Sequence, residues 1–121
     1  MKNILVTASI ILALFSGVVS AQDNMEKMKI DYLISSLKNT KGTIFIRNGS
    51  EHNGKEAGEH LRMKLQNAGG KVLTADDFIR LYASKSWITG KPYMIRSSDG
   101  KTIKSEEYFR EKLKEYYPPV K

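Results

Sequence analysis

The segment RNGSEHNGKEAGEHLR, residues 47–62, carries both histidines of the chain, His52 and His60, with Glu51, Glu56 and Glu59 around and between them. Imidazoles and carboxylates at this density can ligate a metal, or can hold and move a proton with the carboxylate orienting the ring. On one continuous helix, His52, Glu56 and His60 would share a face at i, i+4 and i+8, a His-Glu-His set suited to zinc, cobalt or nickel, with copper also admissible. Asn53-Gly54 argues against that continuity: Asn53 and Glu56 form a capping box, so a helix starts there and His52 falls in the loop before it. There is no His-Glu-x-x-His spacing and no fourth ligand. Capping is reason enough for Glu56, and the expectation is a capped helix with an ordinary His–carboxylate contact, no metal and no other cofactor.

Two further constellations offer chemistry. Ser84, Ser86 and Thr89 supply hydroxyls, with His60 as base and Glu56 as its orienter. No Gly-x-Ser-x-Gly elbow presents a nucleophile, and Ser35-Ser36-Leu37-Lys38 matches Ser-x-x-Lys without the partner motifs of acyl-transfer enzymes. A metal-dependent or hydroxyl-nucleophile hydrolase using His52, Glu56 and His60 is therefore the alternative reading, and a non-enzymatic protein the favoured one. The stretch SWITGKPY, residues 86–93, combines the backbone freedom of Gly90 with Pro92, which biases Lys91 toward extended backbone. Lys91 beside Arg47, with the helix start at Gly54 and Lys55, would cradle an anion. The bland counterpart is a connecting loop, with Arg47 and Arg62 paired to Glu51, Glu56 or Glu59. A third use of the same polar residues is structural: Arg47, Asn48, Glu56, His60 and Arg62 as a buried network fixing helix to strand.

The elements that must position these residues follow from periodicity. Asp23 and Glu26 resemble a capping box, and Ile30, Leu33, Ile34 and Leu37 recur at helical spacing up to Thr40. Thr43 to Arg47 is β-branched and aromatic; with Ile44, Phe45 and Ile46 all apolar, it reads as a strand buried on both faces. Ala57, Leu61, Leu65 and Ala68 line a second helix until Gly69-Gly70, and Thr74 with Asp77 caps a third, with Phe78, Ile79, Leu81 and Tyr82 on its apolar face. Asp99-Gly100 joins a hairpin of Tyr93 to Arg96 and Lys101 to Ile103, and a last helix runs from Ser105 to the stop at Pro118-Pro119. The order α-β-α-α-β-β-α predicts a single α+β domain, a sheet of about three strands covered by helices.

Residues 1–21, MKNILVTASIILALFSGVVSA, have the basic start, apolar run and small residues of a secretory signal peptide, with cleavage expected after Ala21. The apolar run is too interrupted for a spanning helix, so a product without a membrane span, periplasmic or secreted, is expected. Residues 22–121 suffice for one domain. The chain has no cysteine, so packing and capping alone must stabilise it. Twenty Lys and Arg against thirteen Asp and Glu give a net charge of +7, and the leader removes only Lys2. For an exported protein this attraction points to lipid phosphate, lipopolysaccharide or wall polymers and away from nucleic acid, although the lysines form no run.

Two blocks, residues 45–65 and 74–95, resemble the YfeK-like family of short exported bacterial proteins, classified as a domain of unknown function. The pattern stands here as Arg47-Asn48-Gly49, Glu56-Ala57, His60-Leu61-Arg62, Thr74-Ala75, Phe78-Ile79, Ala83-Ser84-Lys85-Ser86 and Thr89-Gly90-Lys91-Pro92-Tyr93. Thr89 replaces a serine, and Trp87 stands where a small polar residue is expected; it reads as core or a plug over it, or as a ligand-stacking surface. The resemblance implies export and no assigned activity. The combined reading is a binding module for an anionic small molecule or envelope partner, with a patch of Arg47, Asn48, His52, Glu56, His60, Arg62, Ser84, Ser86, Lys91 and Tyr93. Self-association through exposed Trp87, Tyr116 and Tyr117 is a third class.

Overall fold

The computed structural model describes residues 23–68 and 74–117. The expected leader, the Gly69-Gly70 stop and Pro118-Pro119 lie outside the described residues. Among them the chain is α+β. Helix α1, residues 23–39, buries Ile30, Leu33, Ile34 and Leu37, the stripe read from their spacing. Glu26 behaves differently from the capping box expected of it: Oε1 accepts the N–H of Ala75, 2.8 Å away, and Oε2 accepts from Lys29. It thereby satisfies an orphan donor at the start of another helix, and that backbone bond, the largest influence on the carboxyl, lowers its pKa.

The sheet has four strands, one more than expected: β1 (Ile44–Arg47), β2 (Ser50–Asn53), β3 (Met94–Arg96) and β4 (Thr102–Lys104), all antiparallel in the order β2-β1-β3-β4. The unexpected strand is β2. Asn48 and Gly49 both have positive φ, 50° and 81°, the signature of a type I′ two-residue hairpin, and they fold Ser50–Asn53 back along β1. Ser-Glu-His-Asn has no β-branched residue, so only the turn announced it. Polar residues suit its place at the sheet edge, where they discourage further pairing.

Register places His52, Phe45, Ile95 and Ile103 in one row across the inner face, and Phe45 and Ile95 are fully buried under the helices. The opposite, outer face is less covered by the described residues, which corrects the expectation that β1 is buried on both sides. Ile44 and Ile46 are only half-buried, and an ion pair from Arg96 on β3 to Glu51 on β2 crosses above β1, Nη2 to Oε1 at 2.9 Å.

Helix α2 (Gly54–Asn67) starts as expected: Asn53 Oδ1 accepts the N–H of Glu56 and the Glu56 carboxylate accepts the N–H of Asn53. Gly54 is required there, because a Cβ would collide with the Leu37 carbonyl oxygen at the end of α1. Helix α3 (Ala75–Asp77), capped by Thr74, passes into a π-helical turn over Phe78–Tyr82 and stops, earlier than read, leaving Leu81 exposed. Helix α4 (Ser105–Lys114) closes the core with Phe109 edge-on to Phe78, ring centres 6.0 Å apart. Tyr116, expected among exposed aromatics, is half-buried edge-on against Tyr32; Tyr117 is exposed. No helix among the described residues is long and apolar enough to cross a membrane.

Candidate functional site

Arg47 ends β1 on the same side as Phe45, so it points inward just past the core, toward α2. There its Nη1 lies across the ring of His60, 2.7 Å from Nδ1 and 2.9 Å from Nε2. A guanidinium only donates, so the ring nitrogen facing it must accept, and the imidazole is neutral. Burial first, then the positive charges of Arg47 and Lys64 and the neighbouring His52, depress the His60 pKa to about 4.

One helical turn beyond His60, Lys64 is buried, with 7% of its surface exposed. Its Nζ donates to the carbonyl of Tyr82 at 3.0 Å and to the hydroxyl of Tyr93 at 3.1 Å, and lies 4.2 Å from the ring centre of Trp87. The π-helical turn explains the first contact. Its terminal carbonyls have no helical partner, and three are taken by side chains: Ile79 by the Ser84 hydroxyl, Leu81 by Trp87 Nε1 and Tyr82 by Lys64. Partial charges and a ring face thus stand in for a carboxylate. Burial, with Arg47 adding to it, pulls the Lys64 pKa down to about 8, and burial raises that of Tyr93.

Residues 83–93 form a closed loop whose arms meet at a Lys85–Pro92 bridge. Buried Ser86 organises it: its N–H donates to Lys91 O, its carbonyl accepts from Gly90, and its hydroxyl oxygen accepts from the N–H groups of Ile88 and Thr89. Thr89 donates to Asn48 Oδ1 at 2.7 Å, and Asn48 Nδ2 donates to Ser86 Oγ at 3.4 Å, so the loop is tied to the β1–β2 turn.

Between that hairpin, α2 and the loop lies a cleft of about 440 Å³. Six of the ten residues singled out in sequence line it: Arg47, Asn48, His52, His60, Ser86 and Tyr93. The other four do not. Glu56 is exposed and committed to the helix cap; Arg62 pairs with Asp31 of α1 at 2.7 Å; Ser84 bonds within its own turn; Lys91 is exposed on the loop. Of the expected cradle only Arg47 lines the cleft, where Lys64 joins it; Lys91 and the α2 start at Gly54 and Lys55 do not. The expected network reduces to the Arg47–His60 contact, and Glu51 pairs with Arg96 instead of Arg47 or Arg62. His52, Glu56 and His60 do not form a donor set, and among the described residues no three His, Cys, Asp or Glu are grouped for a metal.

Sequence reading missed Ser50, Ile88 and above all Lys64. Lys64 follows His60 by four residues and Leu61 by three, which places it beside the apolar stripe of α2, and that spacing was its available signal. Trp87, 58% exposed, is a cover over Lys64 rather than core.

Comparison with known proteins adds identity at the family level. The chain is 46% identical over 68 residues to the protein of Salmonella typhimurium LT2 named "Uncharacterized protein YfeK", across 56% of this chain and 57% of that one, so the likeness spans little more than half of the relative's length. No solved structure matches. Residues 24–117, both the hairpin–helix segment and the loop that build the cleft, match the family of unknown function DUF5329, and the chain belongs to that family, as its YfeK-like motifs imply.

Proposed function

We propose that this chain is a non-enzymatic binding protein of the bacterial cell envelope whose cleft takes an anionic ligand, a small acid or the acidic group of an envelope component. Export rests on the leader-like residues 1–21. The observation that carries the binding reading is that Arg47 and Lys64 converge on one cleft while, among the described residues, neither pairs with a carboxylate. The other four arginines are all matched: Arg62, Arg80, Arg96 and Arg110 each hold an acid. Two cations facing a half-enclosed space raise its potential, and an anion there gains charge-assisted bonds from a fork and a point donor. Nε2 of His52, buried without a partner beside the cleft, is a further polar group that a ligand would satisfy.

The hydrolase reading is weaker on this geometry. Glu56 does not orient His60, and a ring that gains its proton only near pH 4 is a poor general base at neutral pH. Calorimetric titration with inorganic phosphate and with acetate at pH 7 tests the proposal. Saturable binding of either, lost in Arg47→Gln, is expected; no binding of either ion by the folded protein would overturn it.

A further inference from the structure

The loop that walls the cleft has a second face that anion binding does not use. Its tip is apolar and open to solvent: Ile88 is 94% exposed and Trp87 58%. Large apolar side chains left bare at a loop tip are candidates for burial against something else. Lys85 and Lys91, both exposed, stand on the two arms just behind the tip, and no Asp or Glu occurs between Asp77 and Asp99.

The backbone N–H groups of Ile88, Thr89, Gly90 and Lys91 all find acceptors within the loop. Ser86 Oγ accepts from Ile88 and Thr89, Ser86 O accepts from Gly90, Thr89 Oγ1 accepts from Lys91, and the Trp87 indole N–H is held by Leu81 O. Donors spent in this way do not make an anion nest. They lower one part of the cost of bringing a loop to the membrane interface, that of unpaired N–H groups, while carbonyls there keep contact with water and headgroups. An indole with an aliphatic neighbour, collared by lysines, has the composition of a segment that seats at the headgroup boundary of an anionic bilayer.

We infer that the Trp87-Ile88 tip is a membrane-surface anchor, entering the interface of an anionic lipid bilayer while Lys85 and Lys91 contact headgroup phosphates. The anchor requires no spanning segment, and it holds the chain by reversible partition whose strength follows surface charge and salt. The tip side chains and the collar lysines, not Arg47 or Lys64, supply the attraction, so loss of the cleft cations leaves it standing. The mouth of the cleft, which Trp87 and Ile88 also border, would then lie close to the membrane surface.

Trp87 is the chain's single tryptophan, so its emission reports the tip directly. Full-length protein is titrated with phosphatidylglycerol vesicles, phosphatidylcholine vesicles and free glycerol phosphate, and partition is measured in parallel by co-sedimentation. A blue shift with phosphatidylglycerol vesicles alone is expected. Ile88→Asp should weaken partition by about tenfold or more with an unchanged melting temperature, because the side chain it replaces packs on little. Lys85→Gln with Lys91→Gln should weaken it severalfold and flatten its salt dependence, whereas Arg47→Gln should keep it within about twofold. Absence of partition, or equal partition by Ile88→Asp, would overturn the anchor. Loss in Arg47→Gln with retention in Ile88→Asp would also overturn it, by moving headgroup recognition into the cleft.

Discussion

The outer face of the sheet and the cleft at its inner edge use the same residue types to opposite ends. On the outer face Arg96 reaches across β1 to Glu51 with both Nη atoms, and on the helical surface Arg110 holds Asp76 and Glu106. These arginines have their pKa values raised, by the carboxylate bonds first. In the cleft the neighbours of Arg47 are a neutral imidazole and another cation, and the amine and the imidazole both have their pKa values lowered. Matched charges at the surface are nearly indifferent to stability, whereas buried cations without an anion carry a desolvation cost that folding alone does not repay. The contrast separates arginines that finish a surface from one that, on the proposed reading, meets a ligand's anion.

The largest effect expected from breaking that contrast is on binding. Arg47→Gln should weaken phosphate binding by about tenfold or more, because it removes a charged donor to the ligand, while leaving stability within about 0.5 kcal/mol; calorimetry and a urea melt measure the two. Lys64→Met should lose binding comparably yet change stability by no more than about 1 kcal/mol, since removal of a buried cation offsets the donor lost to the Tyr82 carbonyl and the Tyr93 hydroxyl. Lys64→Ala should be destabilised instead, by about 2 kcal/mol, through the cavity left under Trp87.

A smaller but more diagnostic effect is the pH dependence. Lys64 falls from its ordinary 10.5 to about 8 in the fold, so between those values the unfolded chain binds more protons and stability rises with pH. His60, lowered from 6.5 to about 4, binds fewer protons folded than unfolded in that window, so stability falls as pH drops from 6.5 toward 4. Anion affinity runs against the alkaline trend, fading above pH 8 as Lys64 loses its charge. Urea midpoints at pH 5, 7 and 9 check the two stability trends, and phosphate affinities at pH 7 and 9 check the affinity trend. The smallest effect belongs to the matched region: Arg96→Gln should cost less than about 1 kcal/mol in a thermal melt and leave phosphate affinity unchanged.

Much of this was legible in the chain, and the misses have physical causes. The apolar stripes of α1 and α2, the Asn53–Glu56 and Thr74 caps and the Asp99-Gly100 turn are local signals, and they reappear as elements with ends shifted by a residue or so. Strand β2 was missed because its evidence lay in the turn before it, Asn48-Gly49, and not in its own polar residues. Lys64 was missed because a lysine's burial depends on tertiary partners, here the carbonyl end of a π-helical turn eighteen residues later and the Tyr93 hydroxyl, neither visible in helix periodicity. The pairing of Arg62 with Asp31, and of Glu51 with Arg96, is likewise set by how α1 and β3 dock.

The most direct test of the central claim is an NMR titration with inorganic phosphate at pH 7 that follows side-chain signals of Arg47, His60 and Lys64 alongside Arg96 and Arg110. The account predicts saturable shifts confined to the first three, with the two paired arginines still. Equal, unsaturable shifts across all the basic side chains, or none at all, would contradict it and return the cleft to a purely structural role.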